Sequence, residues 1–230
     1  MRKTLMLMLL VGLSVTTLAG SGDRDKAVSR VQESGKVIDE IMAAPDSGIP
    51  SEILESARCV AVVPSMLKGG FVLGGAYGKG VASCRTDKGW SAPAFFSVEG
   101  GSLGLQIGGQ AVDLIMIIMN DEGMKELLAS KFKLGIDASA AAGPVGRHAE
   151  GMTDWKMRAK VLTYSRARGV FAGLTVNGAT IRQDQDSTRD FYGHMIPYKS
   201  LLTGLTAVPE DANAFTGVLT KYAGKGNSKS

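Results

Sequence analysis

The chain has 230 residues, 44% of them hydrophobic, enough to bury a sizeable core in one large or two small domains, which excludes disorder throughout. Glycine is abundant at 30 residues and proline stands at 7 with no three-residue period, so collagen-like and proline-rich chains are excluded and glycine serves backbone geometry. A formal charge of +4 on a chain only 21% charged is too mild for a dedicated nucleic-acid binder, and two cysteines with two histidines leave little material for a metal.

Arg2 and Lys3 precede an apolar run from Leu5 to Val15, followed by Thr16, Thr17, Leu18, Ala19 and Gly20, the order of a secretory signal. Residues 1–20 are therefore read as a signal peptide and 21–230 as a single domain with a short C-terminal tail, exported and periplasmic or peripheral on an envelope membrane. Leu18-Ala19-Gly20-Ser21 has serine where a bacterial lipoprotein box has its lipidated cysteine, so no thioether lipid forms there. In an oxidising compartment Cys59 and Cys84 either form a disulfide or remain a buried pair of thiols, and both readings stand.

From Arg24 to Met42 the apolar residues Ala27, Val31, Ile38, Ile41 and Met42 recur at helical spacing, with Lys26, Arg30, Glu33, Lys36 and Glu40 off that stripe. A second short helix is expected over 51–57, and Cys59 to Val63 reads as a buried strand stopped by Pro64. Between Gly69 and Gly109 glycine clusters alternate with β-prone runs at 71–73, 81–84, 94–98 and 103–107, the pattern of a sharply bent sheet. Val112 to Met119 is apolar at every face, which predicts a strand covered on both sides. Asn120 and Asp121 cap a helix running to Ala129, with Met124, Leu127 and Leu128 inward. Strands at 160–165 and 170–176 form a hairpin with a basic tip, and Pro209 to Gly224 brackets a last helix carrying Ala212, Phe215, Leu219 and Tyr222. The fold class is α+β, a strongly curved, barrel-like antiparallel sheet with helices packed outside.

Motifs of catalysis are weak. Gly100-Gly101-Ser102-Leu103-Gly104 matches the G-x-S-x-G nucleophile elbow, but Ser102 leads into the alternating Leu103-Leu105-Ile107 run and not into a helix. Gly78-Lys79-Gly80 fails the Walker pattern on both sides, with Leu73 and Gly80 in the required places. His148 and His194 have no partner at metal-ligand spacing, and Asp184 with Asp186 reads as solvated loop. No enzyme activity, metal or cofactor is expected.

Charge is distributed unevenly. The stretch 131–168 holds Lys131, Lys133, Arg147, Lys156, Arg158, Lys160, Arg166 and Arg168 against Asp137, Glu150 and Asp154. Such a stretch suggests a basic face for anionic lipid headgroups or another polyanion.

Six segments in order then resemble the SYLF domain family: Ile49-Pro50 through Pro64, Lys68-Gly69-Gly70-Phe71 with Gly78-Lys79-Gly80-Val81, Gly89-Trp90-Ser91-Ala92-Pro93-Ala94-Phe95, Ala142-Gly143-Pro144-Val145-Gly146-Arg147, Tyr164 through Gly173, and Phe191-Tyr192-Gly193. The resemblance implies non-enzymatic binding of membrane lipids, phosphoinositides in eukaryotic members, with actin filaments as a further partner of some yeast relatives. An exported bacterial protein meets neither phosphoinositides nor actin, so the expected ligand is the anionic phospholipid headgroup of the envelope, with another envelope protein as the alternative partner. The residues expected at the headgroup are Lys68, Lys79, Arg147, Arg166 and Arg168. Trp90 is read either as an interfacial anchor or as core. A sharper variant places an acyl chain among Leu105, Ile107, Leu114 and Met116. The helix 24–42 is nearly charge-balanced and lacks the basic face needed to adsorb to anionic lipid.

Overall fold

The structure is a computed structural model and describes residues 21–44, 48–70, 73–103, 108–145, 159–167, 170–173 and 178–224. The signal-like segment 1–20, Arg147, Arg168, Leu105, Ile107 and the tail from 225 lie outside the described residues.

Ten strands form the sheet: β1 Cys59–Gly70, β2 Leu73–Thr86, β3 Gly89–Trp90, β4 Ala94–Leu103, β5 Gly108–Ile118, β6 Lys131–Lys133, β7 Ala140–Ala142, β8 Val161–Ala167, β9 Val170–Gly173 and β10 Thr180–Gln183. Their order is β6-β10-β4-β2-β1-β5-β8-β7, with β3 added to β2 and β9 to β8. Every described pairing is antiparallel except β7 with β8. The two ends of that path, β6 and β7, are joined by a short turn with a bridge between Leu134 and Ala138, so the sheet is strongly curled into a half-barrel.

The central strands are buried on both faces, as their unbroken apolar runs require. Val60, Val62, Ile115 and Ile117 pack into one cluster with the helix residues Ala27, Val31, Ile38, Ile41, Phe215 and Leu219. Their sequence neighbours Cys59, Ala61, Val63, Leu114 and Met116 belong to a second cluster on the opposite face with Phe96, Met124, Leu127 and Leu201. Helices therefore serve both faces. Helices α1 Ser21–Ala43, α2 Ser51–Glu55 and α6 Asn213–Ala223 cover the first, while α3 Asp121–Leu128 and α5 Tyr198–Leu202 reach the second. Helix α4, Gln185–Tyr192, sends Phe191 against Phe95, with ring centroids 5.1 Å apart.

Two local details differ from the sequence expectation. Pro64 does not stop β1. The strand absorbs Pro64 and Ser65 in a bulge, seen as a one-residue register shift against both β2 and β5, and continues to Gly70. Ser65 adopts a left-handed φ of 51°, and its N–H donates to Asp113 Oδ1 at 2.8 Å, so the bulge is tied down by a side chain. Asp184 is not solvated loop. It is the N-cap of α4, accepting from the Ser187 N–H at 3.1 Å, with its side chain only 8% exposed.

The two cysteines are directly opposed in the β1–β2 register and are joined by a disulfide. Several resembling segments turn out to pack on one another. The Tyr192 hydroxyl donates to the Pro93 carbonyl at 2.7 Å, and a side chain at Gly143 would collide with the Tyr164 ring.

Candidate functional site

A groove of about 560 Å³ opens between the first half of α1 and the part of the β1–β2 ladder beyond the bulge. It falls within the usual size range of small-ligand sites. One wall is a stripe of α1 at helical spacing, Gly22, Lys26, Ser29, Arg30 and Glu33, with Asp25 at its margin. The other wall is Pro64, Ser65, Leu67, Tyr77, Gly78 and Lys79.

The bulge builds this wall. Before it, Val60 and Val62 lie under the helices; the extra residue changes the alternation, so that beyond it Met66 stays in the opposite cluster and Leu67 takes the helix-bearing face. Leu67 there is opposite Tyr77, and the two stand 63% and 48% exposed. A cross-strand apolar pair left in water beside a helix is an unusual use of surface.

At the floor, Lys79 Nζ pairs with Asp184 Oδ2 at 2.7 Å. The Ser187 hydroxyl donates to the same carboxylate at 2.7 Å and accepts from Arg30 Nη1 at 2.9 Å. Burial disfavours the Asp184 carboxylate, but hydrogen bonds from Lys79 and Ser187 outweigh it and hold its pKa below the ordinary carboxylate range. Arg30 is treated differently. Among the described residues its guanidinium makes that single hydrogen bond and no ion pair, and burial lowers its pKa. A guanidinium offers five N–H donors, so most of its capacity is unused. Lys26 is taken by Asp23 at 2.8 Å. Glu33 accepts from Ser29 at 3.1 Å and, like Asp25, joins no ion pair among the described residues.

Among the described residues, the expected headgroup residues Lys68, Lys79 and Arg166 do not assemble into one basic face. Lys79 lies in the groove, but Lys68 shares the opposite face with Met66, half-buried and with its pKa lowered by burial. Arg166 is engaged by Asp113, with its Nη2 2.5 Å from Oδ2, and by Glu40 of α1. Trp90 is 5% exposed and carries the Arg85 guanidinium 4.8 Å above its ring, which makes it core. Leu114 and Met116 are ordinary core of the second cluster. Ser102 is a position within β4 opposite Gly74, not an elbow. Among the described residues no cluster of His, Cys, Asp and Glu suits a metal, and no helix is long and apolar enough to cross a membrane. Arg30, which sequence reasoning passed over as an off-stripe charge, is the principal residue missed.

Residues 99–222 match the family model described as Ysc84, Las17-binding protein actin regulator. Protein YSC84 of Saccharomyces cerevisiae is 33% identical over 184 residues, covering 77% of this chain and 39% of that protein. The human SH3 domain-containing YSC84-like protein 1 is 29% identical over 204 residues, covering 86% of this chain and 59% of its own length. LAS seventeen-binding protein 3 of yeast is 33% identical over 184 residues, and the chain spans 39% of it. The family description names a Las17-binding actin regulator, and the last of these relatives is named as a LAS seventeen-binding protein.

Proposed function

The chain belongs to the Ysc84, or SYLF, family, and from that premise we propose that it is a non-enzymatic phospholipid-binding module that takes the headgroup phosphate in the groove between α1 and the β1–β2 ladder. One observation carries the reading: an under-used guanidinium, Arg30, lies beside Lys79 in a groove whose outer lip is the exposed apolar pair Leu67 and Tyr77. Charge-assisted donors suit a phosphate, and an exposed aliphatic–aromatic pair suits the acyl region just above it. The contact is a groove and not the basic face that the charge of 131–168 suggested.

The setting we propose is the bacterial envelope. Support comes from the signal-like order of residues 1–20 and from a buried disulfide, which persists in oxidising compartments. A second reading, a protein-interaction domain of the envelope, draws on the family description, which names a Las17-binding protein.

Flotation of the purified chain with phospholipid vesicles tests the proposal. Vesicles should carry the protein upward, and Arg30→Gln should leave it at the bottom of the gradient. Absence of flotation with every vesicle composition would transfer the groove to a protein ligand.

A further inference from the structure

The groove carries both signs of charge, and both are incompletely used. Lys26 and Lys79 are neutralised by Asp23 and Asp184, which leaves Arg30 on one side and Asp25 and Glu33 on the other without ion pairs among the described residues. Arg30 and Glu33 are three residues apart on one helix, a spacing at which opposite charges ordinarily meet. Here they do not join: Arg30 turns to Ser187 of α4, and Glu33 turns back to Ser29. The two side chains leave the helix as neighbours, their Cβ atoms about 5 Å apart, so a cation and a carboxylate line one groove without neutralising each other.

Resting on the lipid reading above, we infer that the groove selects an amino-phosphate headgroup, with the phosphate on Arg30, a primary ammonium on Glu33, and Asp25 adding negative charge to the same groove. A purely anionic headgroup satisfies only Arg30 and brings its charge against two carboxylates. A quaternary ammonium lacks the N–H donors that the carboxylates accept. The ethanolamine type meets both demands, and Leu67 with Tyr77 receives the first carbons of its chains. No ligand bond is made or broken; the groove binds.

Calorimetric titration of the purified chain with dihexanoyl phosphatidylethanolamine, dihexanoyl phosphatidylglycerol and O-phosphoethanolamine tests this. The ethanolamine lipid should bind about tenfold more tightly than the glycerol lipid, the worth of one charge-assisted contact. The paired substitution Asp25→Asn with Glu33→Gln should abolish that preference without weakening the glycerol lipid, and Arg30→Gln should weaken both. Leu67→Ser should weaken the lipids and leave phosphoethanolamine unaffected. Phosphoethanolamine binding as tightly as the lipid supports the headgroup chemistry and makes the source a soluble amino-phosphate. Equal affinity of the wild type for the two lipids, or a preference that survives the paired substitution, overturns the inference while the lipid reading stands. Failure of every lipid and of phosphoethanolamine overturns both.

Discussion

The two ends of the β1–β2 ladder use an arginine in opposite ways. At the disulfide end, Arg85 donates to the carbonyls of Ala57, Leu54 and Ala223 at 2.9, 3.1 and 2.8 Å, and its guanidinium sits 4.8 Å over the Trp90 ring. It satisfies acceptors that the last turns of α2 and α6 leave open, so its charge is spent on the fold. At the groove end, Arg30 is half-buried, 5.8 Å over the Phe95 ring, with one hydroxyl as its hydrogen-bond partner among the described residues. The same side chain is a fastener at one end and keeps donors to spare at the other. Partial burial of a cation marks a site only when its donors are left over.

The contrast can be broken from either side. Removing the disulfide by Cys59→Ala with Cys84→Ala should cost the most, about 3 kcal/mol for a closed loop of this size, read as a shift of the urea midpoint. Arg85→Met should follow at about 2–3 kcal/mol, because three carbonyls lose a charged donor. A loss below about 0.5 kcal/mol would sink its role as fastener. Asp184→Asn should cost about 1–2 kcal/mol near neutral pH, by weakening the α4 cap and the Lys79 pair. Its pH dependence has a definite sign. The folded carboxyl titrates below its unfolded value of 3.8, so the stabilisation is complete above that value and lost as pH falls through the folded pKa. The wild-type advantage over Asp184→Asn should therefore shrink in acid and be flat from pH 5 to 8, checked by thermal melts across that range. Smallest of all, Arg30→Met should change stability by less than about 0.5 kcal/mol, since no carboxylate is orphaned. A cost comparable to that of Arg85→Met would erase the distinction between the two ends.

Much of the scaffold was legible because it rests on local signals. The apolar stripe of α1, the Asn120 cap of α3 and the doubly covered β5 were all readable from spacing, and the helices and strand lie within a few residues of expectation. Helix α4 and strands β6, β7 and β10 were not. They are short, and their pairing partners, such as Phe132 opposite Ile181, are distant in sequence, so no periodicity announces them. The groove was illegible for a related reason. Charge balance along α1 argued against a flat contact with anionic lipid, yet balance along a line says nothing about which charges the fold neutralises. Only the docking of α4 shows that Asp184 claims Lys79 and leaves Arg30 with a hydroxyl.

The bulge at Ser65 makes the reading frame of a strand into a property of the surface. Strict alternation of the same residues through β1 would turn Leu67 inward and bring Lys68 to the helix-bearing side; removing one residue of the bulge would instead give regular pairing with both side chains on the faces they hold. A deletion here would keep the apolar lip of the groove and take away the Ser65 N–H that ties the strand to Asp113, whereas loss of the bulge at unchanged length would exchange that lip for a charge. How the strand takes up its extra residue, more than the identity of that residue, decides what the far end of the sheet shows to its surroundings.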